Sequence, residues 1–163
     1  MFETGEFRRA LGRFTTGVAV ISAHAGAHHH AMTANSFTSV SLEPPLVLFC
    51  VERDARFHDA VIESGVFGVS VLAADQRAIA VWLATPGRPL IGQLDRIAHE
   101  ESPRGCALIE GAVATLEATV TAVHAAGDHS IVVGAVTFLD VPDEPAPGLL
   151  YSRSRYVEEP GAY

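Results

Sequence analysis

Neutral polar side chains are concentrated between Met32 and Pro45. Such groups, together with backbone N–H groups, can hydrogen-bond a phosphate or the edge of a heteroaromatic ring without contributing a fixed charge. The same composition is also typical of a solvated edge strand followed by a turn, because serine and threonine favour such positions. Composition alone leaves both interpretations open. The five hydroxyls and one amide belong to Thr33, Asn35, Ser36, Thr38, Ser39 and Ser41.

Histidine and cysteine are the residue types that could bind a transition metal. His28, His29 and His30 are consecutive, so on an extended chain their side chains point to alternate faces, and no nearby carboxylate or cysteine completes a ligand set. We therefore expect a solvated hairpin tip there and no metal site. Cys50 and Cys106 each lack a neighbouring cysteine, which excludes a zinc site of paired cysteines; a disulfide between them is possible but unsupported.

Length and charge narrow the class of protein. The 163 residues are enough for one well-buried domain and too few for two, so we predict a single domain over residues 1–163. The net charge of −8, with no basic cluster longer than Arg8-Arg9, makes nucleic acid and anionic membranes poor partners. We find no apolar run of about 20 residues and no signal-like N-terminus, so we expect a cytoplasmic protein.

The apolar periodicity predicts many short strands and few helices. Phe7, Ala10, Leu11 and Phe14 share one face of a short helix that should end before Gly17. The loop at residues 26–30 should join two strands of a hairpin, and residues 85–105, with three prolines and three glycines, are the best candidate for a lid or interface loop. Further strands are predicted at 18–23, 31–37, 46–51, 66–72, 112–125, 131–141 and 149–151, with helices at 56–64 and 75–83 and a linker at 142–148.

This pattern favours an antiparallel barrel over a doubly wound parallel sheet. The chain also has no G-x-G-x-x-G that follows a strand and opens a helix, so any dinucleotide is bound in a different manner from that of a Rossmann fold.

Four segments, in order along nearly the whole chain, resemble the signatures of the flavin reductase-like family with its FMN-binding split barrel. The third of them resembles that family's G-D-H segment and the fourth its closing L-L-Y-x-R-x-R-Y. The resemblance implies a mainly β fold with short helices, an antiparallel split β-barrel. The segments are Phe14-Thr15-Thr16-Gly17-Val18-Ala19-Val20-Ile21, the polar segment 32–45 with the following Leu46–Arg53, Ala122–Ile131 and Leu149–Tyr156.

The resemblance also implies a set of flavin-binding residues. Thr33, Ala34, Asn35 and Ser36 would line the isoalloxazine ring and ribityl chain, partly through backbone groups, with Ser39 and Ser41 toward the phosphate. Cys50, Val51 and Arg53 would flank the flavin, and Arg53 and Arg56 could bind phosphate oxygens, for which a guanidinium fork is well matched. The alternative for the two arginines is a solvated pair at the start of a helix. We expect Cys50 to be a small buried apolar residue rather than a reactive thiol, because nothing nearby in the sequence would stabilise a thiolate.

For the nicotinamide, the resemblance implies that His129 positions the ring for hydride transfer. Asp128 would fix the tautomer of this histidine, or would merely favour the turn. Tyr151, Arg153 and Tyr156 are candidates for closing the site or the dimer interface.

Two departures from the family pattern affect the phosphate end. Asp54, Ala55 and Phe57 stand where many relatives carry serines and a threonine, and Asp54 would repel a phosphate. Leu94-Asp95-Arg96-Ile97 only roughly resembles the family's D-R-F element, from which Arg96 is a candidate phosphate ligand.

The activity implied is NAD(P)H:flavin oxidoreduction, with hydride passing from NADH or NADPH to FMN or FAD in one cleft. The reduced flavin would go to a separate monooxygenase, and the protein would be a homodimer. Two other classes share this fold: a flavin- or haem-binding module without reductase activity, and an enzyme that keeps its flavin tightly, as pyridoxamine phosphate oxidases do.

Overall fold

The structure, a computed structural model, describes residues 2–144 and 146–159. Within these ranges the chain forms three α-helices, a 3₁₀ turn at Ala74–Gln76 and twelve strands. The helices are α1 (Thr4–Leu11), α2 (Arg56–Ser64) and α3 (Arg77–Ala84). The strands are β1 (Thr16–Gly17), β2 (Ala19–Ala25), β3 (His28–Ala34), β4 (Thr38–Leu42), β5 (Pro45–Glu52), β6 (Val66–Val71), β7 (His99–Glu101), β8 (Ala107–Ile109), β9 (Ala114–Ala126), β10 (His129–Asp140), β11 (Leu149–Ser152) and β12 (Arg155–Glu158).

Seven strands form one antiparallel sheet in the order β3-β2-β6-β9-β10-β5-β4. The long hairpin of β9 and β10 is its centre, and the register between them shifts at Val133/Gly134 and at Val136/Phe138. Such bulges bend a strand and increase its twist, which curls the sheet toward a barrel. Two small sheets, β1-β11-β12 and β7-β8, complete the strand pairing. The predicted mainly β, antiparallel split barrel with short helices is confirmed.

The core lies inside the curled sheet, where aromatic rings occupy its centre. Phe49 and Phe67 are fully buried, and their rings meet edge to face with centroids 5.0 Å apart. Gly134 faces the Phe67 ring from β10, and a Cβ atom there would lie only 2.5 Å from a ring carbon. A residue without a side chain is therefore required at this bulge of β10. A second core cluster, made by β2, α3, β8 and β11, packs on the other side.

The first helix is shorter and more exposed than the periodicity predicts. It ends at Leu11, and Gly12 closes it with a backbone N–H bonded to the Arg8 carbonyl. None of its residues is buried in this chain, and the exposed fraction of Phe14 reaches 75%. The apolar face that the sequence predicts thus lies at the surface of the single chain.

The prediction of a solvated loop at residues 26–30 is wrong. A two-residue turn at Gly26-Ala27, with φ of +60° at Gly26, already reverses the chain, so His28 is the first residue of β3. The three histidines are half-buried strand residues, and the His29 ring lies against those of His24 and His99, at centroid distances of 4.8 and 5.6 Å. Burial, followed by the charges of His24 and His99, lowers the pKa of His29.

Two further differences concern the polar segment and the long loop. The predicted strand 31–37 is divided: β3 ends at Ala34 and β4 starts at Thr38, so residues 35–37 connect two edge strands. Residues 85–98 form no helix or strand, whereas 99–109 contain the β7–β8 hairpin. Residues 1, 145 and 160–163 of the predicted single domain, and with them part of the predicted linker 142–148, lie outside the described residues. No helix in 2–144 or 146–159 is long and apolar enough to cross a membrane.

Candidate active site

A cavity of about 630 Å³ opens where the ends of β3 and β5 meet the start of α2 and the loop after α3. Its volume falls within the range of typical small-molecule sites, roughly 300–1,000 Å³. The structure brings together on its walls eight of the residues proposed from the sequence: Thr33, Ala34, Asn35, Ser36, Cys50, Val51, Arg56 and His129.

Hydrogen bonds to backbone hold the polar wall of the cavity in place. Thr33 Oγ1 donates to the Ala80 carbonyl of α3 at 2.7 Å. The hydroxyl of Ser36 accepts from the Cys50 N–H at 3.0 Å and donates to the Cys50 carbonyl at 3.3 Å. This side chain therefore takes the place of a strand partner for β5 at Cys50, before β4 begins at Thr38. Because both hydroxyls serve the fold, the groups left to meet a ligand are backbone groups and the exposed Asn35 amide.

A tight turn at the tip of the β9–β10 hairpin positions His129. Gly127 adopts φ of +65°, and the Asp128 carbonyl accepts a hydrogen bond from the Arg53 N–H, which anchors the tip beside the end of β5. His129 Nδ1 lies 2.7 Å from Asp128 Oδ1, while 44% of the His129 side chain stays exposed. This contact assigns the proton to Nδ1 and leaves Nε2 free.

The carboxylate of this pair is stabilised in its charged form. The hydrogen bond from His129 and the charge of that ring lower the pKa of Asp128. The Asp128 carboxylate therefore remains a hydrogen-bond acceptor throughout the neutral pH range.

Six of the proposed site residues lie outside the walls of this cavity. Ser39 and Ser41 lie on β4, which pairs with the opposite half of β5, at Val47 and Leu46. Arg53 lines a separate depression, together with Asp128. Arg96 lies in the loop after α3, and Tyr151 and Arg153 belong to or adjoin the three-stranded sheet. A role for these six in binding stays a prediction from the sequence.

The cavity also contains residues that the sequence did not single out for binding. Arg88 and Gln93 reach it from the loop 85–98, which was predicted only as a lid or interface loop. Both bind the free edge of β3 at Ala31: Gln93 Oε1 accepts from the Ala31 N–H at 3.3 Å, and Arg88 Nη2 donates to the Ala31 carbonyl at 2.6 Å. An isolated arginine within Pro86-Gly87-Arg88-Pro89 was the available signal. Asp54, Ala55 and Phe57, the departures noted above, line the cavity as well.

The two cysteines differ in environment, and we expect them to differ in reactivity. Burial raises the pKa of the Cys106 thiol to about 11, whereas Cys50 is half-buried on the cavity wall. Because the thiolate is the reactive form, a disulfide reagent at pH 8 should modify one thiol in the native protein and both in urea. Counting the released chromophore for the protein and for Cys50→Ala checks this. Modification of Cys106 in native Cys50→Ala at the rate seen in urea would contradict it.

Comparison with known proteins agrees with this fold. The family model described as "Flavin reductase like domain" matches residues 11–160. An NADH-dependent FAD reductase of Streptomyces globisporus is 42% identical over 156 residues, which are 93% of this chain and 83% of that protein.

Two solved structures extend the likeness to three dimensions. BorF, the flavin reductase component of a bacterial two-component tryptophan halogenase, superposes with a TM-score of 0.92 at 42% identity, covering 98% of this chain and 100% of BorF. The Streptomyces globisporus NADH:FAD oxidoreductase SgcE6, solved with NAD and FAD fragments, has a TM-score of 0.89 at 38% identity, covering 95% and 92% of the two chains. This chain therefore belongs to the flavin reductase-like family.

Proposed function

We propose that the chain is an NAD(P)H:flavin oxidoreductase, which transfers hydride from NADH or NADPH to FMN or FAD. The observation that carries this proposal is the joint placement, on one cavity of about 630 Å³, of a neutral polar wall and an oriented histidine. Named relatives with NADH-dependent flavin reductase activity support it.

The walls of the cavity fit a flavin. The cavity lining includes the apolar residues Val51 and Phe57, together with neutral backbone groups of residues 33–36 and the amide of Asn35. A heteroaromatic ring with donors and acceptors along one edge needs such an environment. When bound, the flavin supplies the hydride acceptor, and the protein supplies orientation.

In this proposal the residues of the chain bind and position the two rings. The backbone of 33–36 holds the polar ring edge, and Cys50 and Val51 flank the ring. His129 presents Nε2 to the nicotinamide because Asp128 occupies Nδ1 at 2.7 Å. Hydride transfer needs no proton from this imidazole, so His129 acts by orienting the nicotinamide against the flavin.

We further propose that the chain works as a homodimer that releases reduced flavin to a separate monooxygenase. The outer faces of β5 and β10 support the dimer, because apolar residues on this face pair in register: Cys50 with Ile131, Leu48 with Val133 and Leu46 with Ala135. All six are half-exposed in the single chain. Such a continuous apolar face, which adjoins the cavity at Cys50, is typical of an interface between copies. The proposed location is the cytoplasm, where the free thiols of Cys50 and Cys106 stay reduced.

A charge on this face should separate the copies. We expect Val133→Glu to shift the mass in solution from dimer to monomer, since it would bury two unpaired carboxylates in a symmetric interface. Light scattering after size exclusion measures this. Ile62→Glu, on the half-exposed outer side of α2, is the matched control and should remain dimeric. A monomeric unmodified protein would contradict the proposed dimer, and a dimeric Val133→Glu would place the interface elsewhere.

The activity itself is tested by following the oxidation of NADH and NADPH with riboflavin, FMN and FAD in turn. Turnover that requires added flavin, and saturates with it, is the expected result. Flavin binding without turnover above the free-flavin background would identify a binding module instead. Protein that is purified yellow and turns over without added flavin would identify an enzyme with a tightly held cofactor.

A further inference from the structure

Arg88 occupies an unusual position for a charged residue. Its loop follows α3 and lies along the free edge of β3, and the guanidinium is half-buried on the cavity wall. It donates only to backbone carbonyls, to Ala31 at 2.6 Å through Nη2 and to Thr85 at 3.0 Å through Nη1. These bonds fix the direction of the group without neutralising its charge.

The positive charge of Arg88 has no carboxylate partner in the described part of the chain. The Nε–H is buried and has no hydrogen-bond partner among the same residues. Burial, followed by the nearby charge of Arg56, lowers the pKa of Arg88. A half-buried cation with a free donor is electrostatically unsatisfied, because hydrogen bonds to neutral carbonyls only partly replace the lost hydration.

Arg56 adds a second cation to the same end of the cavity. This first residue of α2 donates through Nη2 to the Arg88 carbonyl at 2.7 Å, which joins α2 to the loop. Arg56 also forms no salt bridge within residues 2–144 and 146–159. Two guanidinium groups that repel each other at one cavity end would both be stabilised by a phosphate placed there.

We infer that Arg88, together with Arg56, binds a phosphate group of the ligands of this cavity, and that Arg88 fills the role that the sequence suggested for Arg96. This inference rests on the proposed function for the identity of the ligands. The shared chemistry is a phosphate ester, which either the flavin (FMN, FAD) or the nicotinamide dinucleotide brings. Glu52 and Asp54 also line the cavity, so both cations are needed to offset the repulsion between these carboxylates and a phosphate.

Riboflavin, which has no phosphate, separates this role from a purely structural tether. We expect Arg88→Gln to raise the dissociation constant of FMN or FAD about tenfold while that of riboflavin stays within about twofold, since hydrogen bonds to charged groups have effects of this size. Arg88→Lys, which keeps the charge but loses the fork, should recover part of the difference. Arg77→Gln, an exposed arginine outside the cavity, is the matched control and should change neither constant.

A second arm identifies the source of the phosphate. If the dinucleotide provides it, Arg88→Gln should instead raise the dissociation constant of ADP-ribose and the KM for NADH about tenfold, with riboflavin as acceptor and kcat retained. Either selective effect supports the inference.

Two results would overturn the inference. One is an equal change for riboflavin, FMN, FAD and ADP-ribose, which would make Arg88 only a tether of the loop; the other is no change at all. Failure of the proposed function is distinguishable, because it would appear as absent turnover in the unmodified protein. The binding ratios of riboflavin, FMN and ADP-ribose would still test the phosphate site in that case.

Discussion

Replacing His129 with alanine is expected to lower kcat/KM for the reduced nicotinamide about 10- to 100-fold, while the dissociation constant of the flavin stays nearly unchanged. The reason is positional: a small displacement of two stacked rings has effects of this order on hydride transfer. The side chain is 44% exposed and lies at a hairpin tip, so its loss should leave the fold intact. Stopped-flow reduction of the flavin, with flavin binding followed separately, measures both quantities.

Two further variants test whether the loss of kcat/KM comes from His129 itself and from its orientation by Asp128. His124→Ala removes another exposed histidine from the same hairpin, outside the cavity, and should have no effect. Asp128→Asn should have an intermediate effect, because the amide still contacts Nδ1 but no longer favours a single tautomer. If His129→Ala reduces flavin as fast as the unmodified protein, His129 is only a polar residue of the turn, and the positioning role is wrong.

Replacing Glu117 with alanine is expected to lower the free energy of unfolding by about 3 kcal/mol, because it removes a buried carboxylate that accepts three hydrogen bonds. Glu117 is 1% exposed and lies near the start of β9. Its Oε2 accepts from the Ser102 hydroxyl at 2.5 Å and from the Arg104 N–H at 2.8 Å, and Oε1 accepts from the Thr137 hydroxyl at 3.0 Å. This carboxylate thus links the loop between β7 and β8 to the β9–β10 hairpin through hydrogen bonds.

Urea unfolding at a fixed protein concentration checks this expectation, since the proposed dimerisation would make stability depend on concentration. Glu117→Gln should lose less than Glu117→Ala, because one amide oxygen still accepts. Glu100→Ala, an exposed glutamate on β7, is the control and should change stability by no more than about 0.5 kcal/mol. Equal stability of Glu117→Ala and Glu100→Ala would mean that water satisfies the donors around Glu117.

The sequence was most informative where a pattern is local. Alternating and continuous apolar runs predicted most strands, and Gly65 marked the end of α2, where it adopts φ of +65°. The continuous apolar run at 46–51 predicted β5, which the structure buries fully on one face and only partly on the other. The cluster of neutral polar residues at 32–41 was compatible with a binding segment or a solvated edge strand, the family resemblance favoured binding, and residues 33–36 line the cavity.

The histidine run shows why a local pattern is insufficient. Three consecutive histidines look solvated, but His29 is opposite His24 across the β2–β3 pair, and β7 brings His99 against it. Whether a polar side chain is buried depends on which strand pairs with it, and register is decided by turn length and by the whole apolar face. The burial of Glu117 could not be predicted for the same reason, because its hydrogen-bond partners are 13 to 20 residues away along the chain.

The sequence by itself determined the class of fold, most of the strands, the polar segment of the cavity and the family resemblance, because each depends on residues close together or on motifs in order. Only the tertiary structure decided which of the predicted site residues share a cavity. It brought Arg56 and His129 to the ends of β3 and β5, left Ser39 and Arg96 outside, and added Arg88 from a loop without regular structure. The physical reason is that long-range strand pairing and backbone hydrogen bonds, such as those of Arg88 to Ala31 and Thr85, set these distances.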